Sequence, residues 1–149
     1  GRRSRSKPTY PGELDNTVAG GLPADLTPLD NLIKECAEEA SIPETLARQA
    51  IPVGVISYVY EEAGGVKPDQ QLCWDLALPD GFVPENADGE IDSFALLPVT
   101  EVMAIVRDTT EFKFNCALVL IDFFLRHGLI GPDDTDYAAL CHGLRQGRP

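Results

Sequence analysis

The sequence predicts an α+β fold. Three observations carry that reading: an amphipathic stretch of helical period over residues 28–40, two β-branched and aromatic runs over residues 53–61 and 71–78, and glycine and proline punctuation between them. At 149 residues with 44% hydrophobic content the chain can bury one core, so a single domain over residues 1–149 is expected.

In chain order, residues 15–19 read as a strand that breaks at Gly20-Gly21 and Pro23. The helix over 28–40 has Thr27 as its cap, Pro28 at the first helical position and Asp30 as the reciprocal acid of a capping box. Pro43 opens a short helix reaching Gln49, and the long strand 53–61 turns at residues 64–68 into the strand 71–78. A loop over 79–89 leads to residues 90–97, whose alternation predicts a half-exposed strand with Ile91 and Phe94 to Leu97 mostly inward. Thr100 is read as the cap of a helix ending at Arg107, and Asn115 as the start of one ending at His127-Gly128. Gly131-Pro132-Asp133 opens a last helix through Leu144.

Chemistry is concentrated on the first long helix. At about 100° per residue, Glu35, Glu38 and Glu39 share one sector, while Leu29, Leu32, Ile33, Cys36 and Ala40 form an apolar stripe on another. Like charges at this spacing repel by roughly a few tenths of a kcal/mol per pair. Such a cluster is either a solvated helix face or a site for a hard cation, and Mg²⁺ or Mn²⁺ with a phosphate completing the shell suits carboxylate oxygens.

The stretch from Gly20 to Ile42 resembles the signature of the Nudix hydrolases, Gly-x5-Glu-x7-Arg-Glu-U-x-Glu-Glu-x-Gly-U, with U an apolar residue. Gly20, Glu35, Glu38 and Glu39 match its glycine and core glutamates, and Cys36 and Ile42 its apolar positions. Leu26, Lys34 and Ser41 depart from it, where glutamate, arginine and glycine stand in the pattern. Flanking segments extend the likeness: Arg2-Arg3-Ser4, Lys7, Thr9 to Gly12, Leu14 to Asn16, Asp88-Gly89-Glu90 and Glu111 to Asn115 look like the branch related to the carboxy-terminal domain of fungal thiamine pyrophosphokinase. The resemblance implies a Nudix fold, a mixed β-sheet sandwiched between α-helices. It also implies Mg²⁺- or Mn²⁺-dependent cleavage of a diphosphate, thiamine diphosphate or its oxidised analogues going to the monophosphate.

By that resemblance the expected metal set is Glu35, Glu38, Glu39, the carbonyl of Gly20 and Glu90, with Glu61 and Glu62 as rivals for the place of Glu90. Glu35, Glu38 and Glu39 are the expected catalytic residues, Glu35 being the choice for base. Arg3, Lys7, Lys113 and Asn115 are the expected substrate contacts, although an arginine-rich amino end also suits a solvated tail. Isopentenyl diphosphate isomerases share the fold but use a cysteine just after the Pro-Gly segment, and Asn16-Thr17-Val18 offers none. The alternatives left open are a hydrolase of another nucleoside diphosphate derivative and a Nudix-fold module that only binds a ligand.

A net charge of −12 disfavours nucleic acid and membrane surfaces as partners. Cys36, Cys73, Cys116 and Cys141 are scattered without a CxxC pair and lie among apolar residues, so free thiols in a reducing, cytoplasmic setting are expected. The chain opens on Gly1 and not on Met, which suggests a domain excised from a longer protein whose amino-terminal portion is missing. A homodimer is compatible with the family.

Overall fold

A computed structural model describes residues 1–62, 64–87 and 89–147. In chain order they form β1 (Arg2–Arg3), α1 (Pro28–Ala40), α2 (Glu44–Ala47), β2 (Ile51–Glu62), β3 (Gly65–Asp75), β4 (Ile91–Ser93), α3 (Val99–Asp108), α4 (Phe114–Arg126) and α5 (Tyr137–Gly143). The class is α+β. β1 pairs antiparallel with β4, β2 pairs with β3, and Leu14 bridges Arg2 on one side and, in parallel sense, Phe112 on the other.

Helix α1 occupies the residues its pattern predicts, and the reasons are local. Thr27 Oγ1 accepts the Asp30 N–H at 3.2 Å, and the Asp30 carboxylate takes the Thr27 hydroxyl at 2.6 Å in place of the main-chain N–H of a full capping box. At the other end Ser41 adopts the left-handed conformation that glycine would take more easily, with φ 51°, and its N–H returns to the Cys36 carbonyl. Its hydroxyl donates to the Glu85 carbonyl at 3.0 Å, an anchor that glycine could not supply.

Several predicted elements differ. Residues 15–19 form no strand: the Ala19 N–H goes to a side chain and Leu14 alone bridges its neighbours, so no ladder is built. The strand expected over 90–97 is limited to Ile91–Ser93, and Leu96 is fully exposed where an inward position was expected. Pro98, not Thr100, caps α3, and α4 begins at Phe114, one residue before Asn115. Turns occupy residues 132–136, so α5 starts later than the Gly-Pro-Asp sequence suggests.

Two compact units result. In the first, Gly1–Ile51 with Asp75–Cys116, the core is Cys36, Ala40, Ile42 and Ala47, covered by Val18, Leu32, Ile33, Leu46 and Phe94 among others. Fully burying a side chain such as Ile42 contributes about 1.5–3 kcal/mol, and the buried Cys36 and Ala40 fix the inner face of α1 and so the acidic sector beside it. In the second, Pro52–Trp74 with the chain from Ala117 onward, Ile56, Cys73 and Leu144 form the core with Leu118, Ile121 and Leu125. Asp122 is buried there and neutralised by Arg126 at 2.7 Å and Arg145 at 2.8 Å.

Candidate functional site

The acidic face of α1 lies against the loop that precedes it. Gly20 passes so close to Glu35 that a β-carbon on residue 20 would overlap the Glu35 carboxyl, and the Ala19 N–H donates to Glu39 Oε2 at 2.7 Å. Absence of a side chain at residue 20 is therefore a packing requirement of the site.

Lys34 stands between two of the glutamates. Its ammonium donates to Glu38 Oε2 at 2.6 Å and to Glu35 Oε1 at 3.2 Å, and both contacts hold its pKa above the ordinary lysine value. Lysine bridges the pair as a point charge, without the planar fork of arginine. Glu35 is largely shielded while Glu38 is half open to solvent.

Glu39 is the electrostatic centre. Burial pushes its carboxyl up to about 7, and Glu35, Asp15 and Glu90 add to the shift, while the Ala19 N–H opposes it. Among the described residues no three carboxylates, histidines or cysteines are gathered closely enough to hold one ion. The donors are hard oxygens, and the negative field at Glu39 is the kind a divalent cation relieves, so the chemistry of the set fits Mg²⁺ or Mn²⁺.

The remaining predicted residues fall into separate places. Glu90 forms an ion pair with Lys7 at 2.6 Å, and its carbonyl accepts the Ser4 N–H at 2.8 Å. Arg3 is buried, and its guanidinium is directed into the protein: Nη1 to Asp15 Oδ2 at 2.7 Å, Nη2 to the Thr9 carbonyl at 3.1 Å and Nε to the Tyr10 carbonyl at 3.2 Å. Its donors shape the loop over residues 9–15 and are not turned out to a ligand. Lys113 and Asn115 stand where α4 begins; the Lys113 ammonium lies 5.8 Å from the Tyr10 ring centroid, and Asn115 Oδ1 accepts weakly from the Cys116 thiol at 3.6 Å. Glu61 is exposed on β2, whereas Asp88 and the Glu62 side chain lie outside the described residues.

Asp15 carries more than its sequence suggests. Besides Arg3 it accepts the Cys116 thiol at 2.7 Å and the Asn16 N–H at 2.9 Å. Nothing local marks an acid for burial beside partners 12 and 101 positions away.

No family model matches the chain. Over 147 residues, 99% of this chain, it is 52% identical to Nudix hydrolase 24, chloroplastic, of Arabidopsis thaliana, and over 145 residues, 97% of the chain, 50% identical to Nudix hydrolase 20, chloroplastic, of the same plant. Along nearly its whole length the chain is thus similar to Nudix hydrolases. An uncharacterised protein of Saccharomyces cerevisiae is 36% identical over 161 residues, covering 99% of the chain. The chain spans 40%, 39% and 47% of these relatives' lengths, so it corresponds to less than half of each.

The Nudix relatives also correct one expectation. Both plant proteins are named chloroplastic, which overturns the cytoplasmic assignment. The cytoplasmic expectation rested on free thiols and a negative charge, and neither separates one reducing compartment from another. The four cysteines are indeed free, although Cys141 is only half-buried. Among the described residues no helix is long and apolar enough to cross a membrane.

Proposed function

We propose that this chain hydrolyses a small-molecule diphosphate, and that the substrate is thiamine diphosphate or an oxidised analogue of it, released as the monophosphate. One observation carries the site: Gly20 is packed on Glu35 and Ala19 is tied to Glu39, so the glycine loop and the acidic helix face form one surface. The thiamine assignment rests on the flanking segments quoted above, from Arg2-Arg3-Ser4 to Glu111–Asn115.

Glu38, Glu39, Glu35, Glu90 and the Gly20 carbonyl are the proposed donors to Mg²⁺ or Mn²⁺, and the carboxylates would have to draw together to take one ion. When bound, the ion supplies charge neutralisation at the phosphate oxygens and lowers the pKa of water. Water adds to one phosphorus, the bridging P–O bond breaks, and a carboxylate takes the proton. Glu35 is the proposed residue for that last task; its shielding from solvent and its contacts with Lys34 and Gly20 support the choice. Lys34 keeps Glu35 and Glu38 from drifting apart, and it must release an oxygen for the ion to enter. Lys7, Lys113 and Asn115 are the proposed substrate contacts, with Arg3 shaping the loop from beneath.

A second reading has one observation in its favour. Leu26, partly buried, stands where the signature has its first glutamate, so the set lacks one acid and the fold could serve as a binding module. Another nucleoside diphosphate derivative would use the same acidic face. A single screen decides among these: purified protein with Mg²⁺ and a panel of diphosphates, including thiamine diphosphate and its oxidised forms, assayed for monophosphate. Release from a thiamine compound, lost in Glu39→Gln, is the expected result; metal binding with no turnover on any diphosphate points to the binding module. Light scattering on the same sample reports whether a homodimer forms.

A further inference from the structure

We infer that a cleft lined by α4 and α5 in the second unit binds a phosphate group through Arg145 and Arg126. It shares no residue with the acidic helix face, and the inference does not depend on the diphosphate-hydrolase reading.

The cleft has a volume of about 320 Å³ and is lined by Asp122 and Arg126 from α4, Tyr137 and Cys141 from α5, and Arg145 just beyond it. That volume lies at the lower end of the range for small-molecule sites. Its charge is the reverse of the chain's. Acids outnumber Lys and Arg by 24 to 12 over the whole sequence, yet this lining holds two guanidiniums and one carboxylate. Such a lining attracts an anion.

The arginines are also held in place by the protein itself. Asp122, its side chain 3% exposed, gives one oxygen to each: Oδ2 accepts from Arg126 Nε at 2.7 Å and Oδ1 from Arg145 Nη2 at 2.8 Å. Arg126 is fixed a second time, its guanidinium 5.8 Å from the Phe123 ring centroid. A clamp joining α4 to the chain after α5 would be complete with Arg145 alone, because the Asp122–Arg126 pair runs within one helix. Arg145 is 47% exposed, and among the described residues only Asp122 accepts from its guanidinium. A guanidinium carries five donors in a rigid fork, so one that spends a single N–H on a buried acid presents the rest to an oxyanion. Orienting it beforehand removes part of the ordering cost of binding. Donors arriving from two arginines and Tyr137 suit the several oxygens of a tetrahedral phosphate better than a flat carboxylate.

Cys141 lines the same cleft and serves as the reporter. Iodoacetamide, a neutral reagent, is applied at pH 8 with sodium phosphate, methyl phosphate, acetate or chloride at equal ionic strength, and peptide mass spectrometry reads the labelling rate. At roughly ten times the dissociation constant only about one cleft in eleven is empty, so phosphate should slow labelling of Cys141 by about tenfold and then saturate. Protection by methyl phosphate as well identifies the ligand as a phosphate monoester, and protection by inorganic phosphate alone identifies the free ion. Protection by neither, or equal protection by acetate or chloride, overturns the site. Arg145→Gln should abolish the effect while keeping its melting curve, since Arg126 still neutralises Asp122; protection that survives in the folded variant overturns the site too. If Arg145→Gln does not fold, Arg145→Lys keeps the charge without the fork and should need several-fold more phosphate for the same protection, and an unchanged requirement counts against the site. If Cys141 resists the reagent altogether, melting temperature decides: phosphate should raise it above the chloride control in the unaltered protein, and no rise overturns the inference.

Discussion

Gly20 and Glu35 are in direct contact, the Glu35 carboxyl lying where a β-carbon on residue 20 would stand. The obstacle is the far end of a flexible side chain, so an added methyl group displaces Glu35 and leaves the backbone in place. Gly20→Ala should therefore keep its melting temperature within about 2 °C of the parent, a change below about 1 kcal/mol for a chain of this size. Diphosphate turnover should fall by about 10²-fold, the loss expected when a reacting group is misplaced by around 1 Å. A large drop in melting temperature with turnover intact would show that residue 20 matters for folding and not for holding Glu35.

Glu39 should make the metal-free protein sensitive to pH in a direction opposite to most carboxylates. Burial and its acidic neighbours push the folded-state pKa up to about 7 from an ordinary value of 4.5. The folded state thus binds the proton more tightly than the unfolded state, and the resulting contribution to stability is complete below about 4.5 and lost as pH rises through about 7. Glu39→Gln removes the titration. Melting curves at pH 5 and pH 8 should show the variant gaining on the parent at the higher pH while its Mg²⁺-dependent turnover drops by orders of magnitude. A gap that is the same at both pH values would contradict the assignment of Glu39 as the strained carboxylate.

Arg3 and Asp15 should prove costly to separate. Both are buried, 2.7 Å apart, and the same guanidinium binds two loop carbonyls. Arg3→Met leaves a carboxylate buried without its cation, a defect of about 3–5 kcal/mol in comparable cases. Arg3→Lys restores charge without the fork and should recover only part of the loss. Urea unfolding of the two variants measures both quantities; an Arg3→Met protein as stable as the parent would mean that the arginine is dispensable to the loop.

What could be read from the sequence follows how local each determinant is. Helix α1 was legible because Thr27, Pro28 and Asp30 mark its start and its apolar stripe has a single period, all within thirteen helical residues and the cap before them. The hairpin of β2 and β3 was legible for the same reason, although β3 starts at Gly65, inside the turn expected over 64–68, and ends at Asp75, short of the expected Leu78. The glutamate triad and Gly20 could be named from spacing, yet their partition between Lys34 and the Ala19 N–H could not, because it depends on where a loop of unmarked conformation returns to the helix. Asp15 was harder still. Its partners, Arg3 and Cys116, are distant in the chain and leave no trace in periodicity. The strand expected at 15–19 failed on similar ground, since Val18 and Ala19 look like strand residues but lack a continuous neighbour to pair with.

The four thiols should differ sharply in reactivity, which tests the first unit's packing without any substrate. Burial drives Cys116 up to about 12, with Asp15 reinforcing the shift, and burial with the nearby Glu39 and Glu35 drives Cys36 up to about 11. A thiolate is the reactive form, so neither group is expected to alkylate at pH 8 while the protein is folded. Cys73 is buried in the second unit, whereas Cys141 is half-buried and open to reagent. Iodoacetamide at pH 8 should therefore label Cys141 first, and all four cysteines only in denaturant, as read by peptide mass spectrometry. Labelling of Cys116 in the native protein at the rate of Cys141 would mean that the Asp15 pocket opens in solution, and the hold of Arg3 on Tyr10 would be lost with it.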